Sequence, residues 1–467
     1  MINFTHLYLG IFSLFVSVLS FLNIIYCYYF KLYLNINNFI FIFLISLFLG
    51  LIIFLKKKDK KVMIYQKIFS VVLGYITIPV LLSIPYYLII KNITFIDSYF
   101  EAISGFTSTG FTIFNNIKHL DESLILWRSS TQWLGGLYFL ISIILLIDIF
   151  DKNLKKSLTN FINFNSNETI KQCFKISIIY LFLTTVIFFI LYLSDLRAFN
   201  SFNLSLTLIS SGGFLPVNNL ELIINTKLKE IILSLMMLLS FFSLFFSYNL
   251  VFLRKKNINF FYEDLPLFIY LVVVVTIFFL FFSFNYDFFI NLFAIISSMT
   301  NIGFSVSPGQ DNLTFIFLIL VIIGGSFFST SSGLRFVKIY SLFKFSLNQI
   351  LSFSKPKNVF MNKLMFTKIN FNLEDINKYF LTIIIFILSL FILTSLLSLS
   401  GITFVNSIKL SILTLMNTVN SSIYGLENFD FNNLEFFTKY CLIFFMIVGR
   451  IELLTILLLI KKFLFKN

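Results

Sequence analysis

The sequence predicts an all-α polytopic membrane protein with about ten transmembrane helices and four re-entrant half-helices. Three observations lead there. Apolar runs of about twenty residues recur along the chain, each able to cross roughly 30 Å of hydrocarbon at about 1.5 Å per helical residue. Clusters of Lys and Arg divide these runs into pairs. Four of the pairs also enclose a third, shorter apolar piece followed by a small, polar stretch. A soluble domain of 467 residues that is 58% hydrophobic and 12% charged could not hide its apolar surface, and an outer-membrane barrel would show short alternating strands.

The charges order the elements. Basic clusters occur at Lys56, Lys57, Lys58, Lys60 and Lys61; at Lys152, Lys155 and Lys156; at Arg254, Lys255 and Lys256; at Lys355, Lys357, Lys363 and Lys368; and at Lys461, Lys462 and Lys466. The positive-inside rule makes all of them cytoplasmic, so each interval holds an even number of crossings. The first interval holds Leu7–Phe30 and Asn38–Leu55. Leu7–Phe30 is too long for a signal-peptide core and lacks a small-residue cleavage site, so it reads as a transmembrane helix. The later intervals hold Lys67–Ile90 and Leu124–Phe150, Cys173–Leu193 and Leu228–Phe252, Leu265–Phe284 and Phe315–Phe345, and Tyr379–Leu399 and Phe436–Ile460. Both termini are then cytoplasmic. The expected units are a helix pair over 1–62 and four pore repeats over 63–158, 159–257, 258–358 and 359–467.

The extra apolar pieces are Phe95–Gly105, Phe202–Ser210, Phe288–Ser298 and Ile402–Met416, too short to span. Each alone reads as a surface amphipathic helix. Four in matching positions read as re-entrant half-helices, because non-helical backbone at membrane depth must be buried in protein or line a watery cavity. The polar stretches that follow are Thr107-Ser108-Thr109-Gly110-Phe111, Ser210-Ser211-Gly212-Gly213-Phe214, Thr300-Asn301-Ile302-Gly303-Phe304 and Asn417-Thr418-Val419-Asn420-Ser421. They recur about every 100 residues, an internal repeat. A cation that sheds water needs replacement oxygens, which the carbonyls of convergent loops supply. Glycine allows the backbone turns that aim them, and the half-helix C-termini favour a cation.

At these residues the chain resembles the Trk/Ktr/HKT superfamily of potassium transporters, most closely the Trk-type membrane subunit. Supporting stretches are FEAISGFTSTGF (Phe100–Phe111), WRSSTQWLGG (Trp127–Gly136), GGSFFSTSSGLRFVK (Gly324–Lys338) and IVGRIELLTILL (Ile447–Leu458). The resemblance implies K⁺ uptake across the cytoplasmic (inner) membrane through a filter formed by Ser108, Thr109, Gly110, Ser211, Gly212, Gly213, Asn301, Ile302, Gly303, Thr418, Val419 and Asn420. In the family each filter centres on one glycine. Here Asn420 stands at the expected fourth glycine, and Asn tolerates left-handed geometry better than most residues. The alternative is a relaxed filter, a weakly selective Na⁺/K⁺ pathway.

Two further features fall in apolar runs. Gly324, Gly325, Ser326, Ser329, Thr330, Ser331, Ser332 and Gly333 interrupt a helix. They serve either close helix packing or, as the resemblance implies, an intramembrane gate. Arg450 is a charge inside the last run, hence a functional candidate. It is either half of a structural ion pair or, by the resemblance, an electrostatic barrier acting with the gate. Arg128 reads as an interfacial anchor. Asp97 and Glu101 read as helix N-terminal charges that could also draw cations, and Asp148 and Asp151 as solvated.

The remaining composition mostly excludes. His6 and His119 are the only histidines, and with Cys27, Cys173 and Cys441 they form no metal-ligand spacing. No phosphate-binding loop, dinucleotide fingerprint or catalytic constellation occurs, so an enzyme is not expected. The net charge of +14 sits at helix ends, as topology and lipid headgroups require, and does not indicate nucleic acid. K⁺ is expected as cargo and no cofactor in this chain. Any nucleotide would act through a partner, and the resemblance implies a homodimer with a cytoplasmic nucleotide-binding regulatory subunit.

Overall fold

A computed structural model describes residues 2–55, 64–150, 169–252, 263–282, 288–306, 313–353 and 373–451. The five basic clusters lie outside these residues, as do Asp151, Glu452 and the side chain of Asp148. The described chain is helical but for two short strands. Its helices are α1 (Ile2–Tyr29), α2 (Tyr33–Leu55), α3 (Ile64–Ile89), α4 (Phe95–Phe106), α5 (Glu122–Phe150), α6 (Thr169–Leu193), α7 (Ala198–Ile209) and α8 (Lys227–Phe241). Then follow α9 (Leu244–Phe252), α10 (Asp264–Phe282), α11 (Phe288–Met299), α12 (Thr314–Ile322), α13 (Phe336–Ser352), α14 (Leu373–Leu399), α15 (Phe404–Leu415) and α16 (Phe436–Ile451). Strands β1 (Ile323–Gly324) and β2 (Leu334–Arg335) pair in parallel.

Seven described helices are long and apolar enough to cross a membrane: α1, α2, α3, α5, α6, α10 and α14. Their burial sorts them. The apolar window of α5 is wholly buried, which makes it a central strut, whereas α2, α10 and α14 bury about a third of theirs or less. Rows such as Leu388, Phe391 and Ile392 on α14 stay exposed; an apolar outer surface of this kind suits lipid.

Two expected transmembrane helices take another form. Leu228–Phe252 is not one helix. Between α8 and α9 the Ser243 amide and hydroxyl donate to the two carboxylate oxygens of Asp264 at 2.9 and 2.6 Å. The Leu244 amide donates to the Phe328 carbonyl at 3.0 Å. Both amides therefore bond outside the helix ladder, and the helix breaks. Phe315–Phe345 is divided by β1, a loop over 325–333 and β2. The last run is described only to Ile451.

Each short helix α4, α7, α11 and α15 is 12 residues long. α4, α7 and α15 pack on the helix that precedes them, and α11 on the helix that follows it. α5 packs on α7, α8 on α11, α12 on α15, and α16 returns to α4. The contacts thus close a cycle. Glycines permit the closest approaches: a methyl on Gly135 of α5 would collide with the Phe106 carbonyl at the end of α4, and one on Gly449 of α16 with the Leu415 carbonyl at the end of α15.

Candidate functional site

The four short helices end alike. The second residue past each helix is left-handed: Ser108 (φ 58°), Ser211 (φ 52°), Asn301 (φ 59°) and Asn417 (φ 48°). The next amide reaches back to a helix carbonyl: Thr109 to Ser104 at 2.9 Å, Gly212 to Thr207 at 2.8 Å, Ile302 to Ser297 at 3.2 Å and Thr418 to Leu413 at 3.0 Å. This is a left-handed helix stop, which satisfies helix carbonyls and turns the chain sharply. In the first and third turns a helix serine also ties down the exit, Ser104 to the Phe111 carbonyl at 2.6 Å and Ser297 to the Phe304 carbonyl at 2.8 Å.

Two residues past each left-handed position stand Gly110, Gly213, Gly303 and Val419. They meet. A methyl on Gly110 would lie 2.6 Å from the Gly213 Cα, and one on Gly303 would lie 2.9 Å from the Val419 carbonyl oxygen. Gly110 and Gly303 keep positive φ, 85° and 81°. This geometry settles the register of the second turn on Gly213. Gly212 instead packs against the Gln132 side chain, whose Oε1 accepts from the Phe214 amide at 3.2 Å.

The fourth register expected from the sequence is corrected. Val419, not Asn420, occupies the position of the three glycines. The helix stop fixes Asn417 as the left-handed residue and so sets the count. Asn420 lies one residue further on, its amide donating to the Leu426 carbonyl at 3.1 Å.

Against this ring opens a cavity of about 660 Å³, whose lining includes Gly110, Gly213, Gly303 and Val419, the carboxylates Glu221, Glu427 and Asp430, and one cation, Arg128. On the other side lies the loop over 325–333. Gly324 and Gly333 let its two ends cross, since a methyl on Gly333 (φ 80°) would lie 2.9 Å from the Gly324 Cα. The loop touches two turns directly and a third through Arg450. Thr330 and Ser211 share a hydroxyl contact of 3.3 Å, and Ser331 donates to the Asn301 side-chain carbonyl at 2.9 Å. Ser332 accepts from Arg450, whose other terminal nitrogen donates to the Ser108 hydroxyl at 3.2 Å. Gly325, Ser326 and Ser329 complete the buried loop.

Arg450 is buried, stacks on Phe139 at 4.2 Å, and forms no ion pair among the described residues. The reading of Arg450 as half of an ion pair thus has no described partner. A second buried arginine was missed. Arg335 donates through Nη1 to the Ser326 and Ser331 carbonyls, both at 2.9 Å, and also stacks on Phe139, at 5.0 Å. The signal was present: Arg335 is a charge inside an apolar run, as Arg450 is.

Two ion pairs belong to the scaffold. Arg128 is no interfacial anchor. It is buried, pairs with Glu101 at 2.9 Å, donates to Thr112 at 2.9 Å and lies 4.2 Å from the Phe214 ring. Glu101 also accepts from the Ile113 amide at 3.0 Å. The pair therefore holds the exits of the first two turns. Asp97, near the start of α4, pairs with Lys439 of α16 at 2.6 Å and joins the first and last units. Among the described residues no group of His, Cys, Asp and Glu could hold a metal ion.

Comparison with known proteins fits this geometry. The family model TrkH, a cation transport protein, matches residues 34–466. An uncharacterized cation transporter of Methanocaldococcus jannaschii is 25% identical over 378 residues, covering 78% of this chain and 77% of that protein. The Trk system potassium uptake protein TrkG of Escherichia coli is 23% identical over 398 residues, covering 80% of each chain. The crystal structure of the potassium transporter TrkH from Vibrio parahaemolyticus superposes with a TM-score of 0.82 at 19% identity, over 98% of both chains.

Proposed function

The chain belongs to the TrkH family of cation transport proteins, and from that premise we propose that it carries K⁺ inward across the cytoplasmic membrane, through a path between the four turns. The observation that carries the reading is the stacking of three parts: a cavity with carboxylates in its lining, a ring where four backbone turns meet, and a glycine- and serine-rich loop pressed against the ring from the far side. K⁺ would collect in the cavity, where acidic groups raise the local cation concentration. It would exchange water for backbone oxygens at the ring. It would then meet the loop over 324–333 and the Arg450 guanidinium, which together form the gate. A negative interior favours entry by about 2.3 kcal/mol per 100 mV for each full charge moved.

In this reading α4, α7, α11 and α15 are re-entrant pore helices, and residues 63–158, 159–257, 258–358 and 359–467 are four pseudo-symmetric repeats around one pore. The cyclic packing of α5 on α7, α8 on α11, α12 on α15 and α16 on α4 supports this arrangement. Residues 1–62 form an accessory helix pair, and both termini are cytoplasmic. In this reading, as the family resemblance implies, the chain works as a homodimer with a cytoplasmic nucleotide-binding subunit, and any nucleotide acts through that subunit.

The test is influx of K⁺ against Na⁺ into liposomes holding the purified protein. Gly110→Leu should abolish influx, since even a methyl there meets the Gly213 backbone and the φ of 85° disfavours a side chain. Undiminished K⁺ influx would remove the ring from the path. A second reading, a weakly selective monovalent-cation pathway, is favoured by the one non-glycine position in the ring. Comparable Na⁺ and K⁺ influx would select it.

A further inference from the structure

The cyclic packing order places the second and fourth turns opposite each other. Yet they touch. A methyl on Gly213 would collide with the Val419 Cβ and stand 3.0 and 3.1 Å from its two γ-methyls. One of those, Cγ1, is also 3.0 Å from where a methyl on Gly303 would be. The isopropyl group therefore reaches across the ring. It is half-buried: it packs against the apolar core and also lines the cavity.

From this we infer that Val419 is the residue that limits permeation in this chain: its side chain forms an apolar constriction at the narrowest level of the ring. The inference rests on the cation-transport reading. The chemistry is direct. At the other three positions a glycine leaves the axis to backbone oxygens. Valine keeps its backbone carbonyl, which reaches the ring beside Gly303, but sets three side-chain carbons next to it, so a cation that has shed its water meets apolar bulk in that quadrant where glycine would leave the carbonyls open. Hydrophobic constrictions of this kind also exclude water. Valine is stiff about χ1, so the group does not readily swing aside. Its φ, like that of Gly213, is not in the left-handed region that Gly110 and Gly303 occupy.

The test compares the full-length wild-type protein with Val419→Gly and Val419→Ala. Two readouts are taken: K⁺ and Na⁺ influx into liposomes under an inside-negative potential, and the thermal midpoint in detergent in KCl against choline chloride. Val419→Gly should raise K⁺ influx at least about tenfold, equivalent to about 1.4 kcal/mol of barrier, with Val419→Ala between it and wild type. Alanine keeps the β-carbon and guards against a folding defect of the glycine variant. If the loop beneath the ring keeps all three silent, the midpoint decides. A K⁺-specific rise in Val419→Gly that wild type lacks supports the inference, and equal rises overturn it. Wild-type K⁺ influx that both variants merely match overturns the constriction and leaves K⁺ transport standing. Absence of both influx and K⁺ stabilisation from all three proteins overturns the transport reading and this inference together.

Discussion

Replacing Glu101 by Gln removes one charge from a pair buried behind the first two turns. The carboxylate and the Arg128 guanidinium are both almost wholly buried and 2.9 Å apart. Breaking such a pair from one side leaves an uncompensated buried charge, which costs about 3–5 kcal/mol. Glutamine keeps an oxygen able to accept from the Ile113 amide, so the loss reports the charge and not that bond. The cation–π contact of Arg128 with Phe214, about 1–2 kcal/mol when desolvated, offsets only part of it. The converse change, Arg128→Met, leaves the carboxylate unpaired and should cost a similar amount. The double variant Glu101→Leu with Arg128→Met removes both desolvation penalties. It should cost only about 1–3 kcal/mol, so the two single losses should be strongly non-additive. The assay is unfolding in mixed micelles of dodecyl maltoside and SDS, read by circular dichroism for the four proteins of the cycle. Single variants that unfold with wild type, or a double variant whose loss equals the sum of the singles, would refute the assignment of this pair as the scaffold of the turns.

The gate residues give two further expectations. Arg450→Ala removes a buried cation that touches Ser108 on one side and Ser332 on the other; in the Val419→Gly background, where the ring no longer limits, it should raise passive K⁺ influx into liposomes about tenfold, and an unchanged rate would deny Arg450 a barrier role. Arg335→Ala deletes charge-assisted bonds to the Ser326 and Ser331 carbonyls, worth about 1.5–3 kcal/mol each. Amide exchange across 325–333 should accelerate by at least about tenfold, while exchange in α5 stays slow.

What the sequence disclosed followed from how local each feature is. The short helices were legible because each is apolar and ends in small polar residues. The loop between Gly324 and Gly333 was legible because glycines and serines interrupted an apolar run. The fourth register was misread because the eye aligns on glycine, and the fourth turn has none. Aligning on the left-handed residue gives the right count: Ser108, Ser211, Asn301 and Asn417 each precede the ring position by two residues. The break at Phe242–Ser243 was hidden because its cause is Asp264, which caps Ser243 from the next helix. Arg128 looked like an anchor because its partner Glu101 lies on another helix.

The residue chosen at the left-handed positions ties the ring to the loop. Glycine would take that backbone with less strain, yet the chain uses Ser, Ser, Asn and Asn. Each side chain has a use that glycine could not serve. Ser108 accepts from Arg450, Ser211 meets Thr330, and Asn301 accepts from Ser331. Asn417 instead donates to Thr109 of the first turn at 3.0 Å and to the Met446 carbonyl at 2.9 Å, one helical turn before Arg450. The two direct loop contacts are buried, as is the Arg450 bond to Ser332, so withdrawing the loop would strip a partner from the second turn, the third turn and Arg450 together, and a buried polar group left unpaired costs about 1–3 kcal/mol unless water replaces it. The loop therefore cannot leave without either wetting the ring or loosening it. The arrangement makes the ring's order depend on the loop's position, with Arg450 of α16 bonded to both.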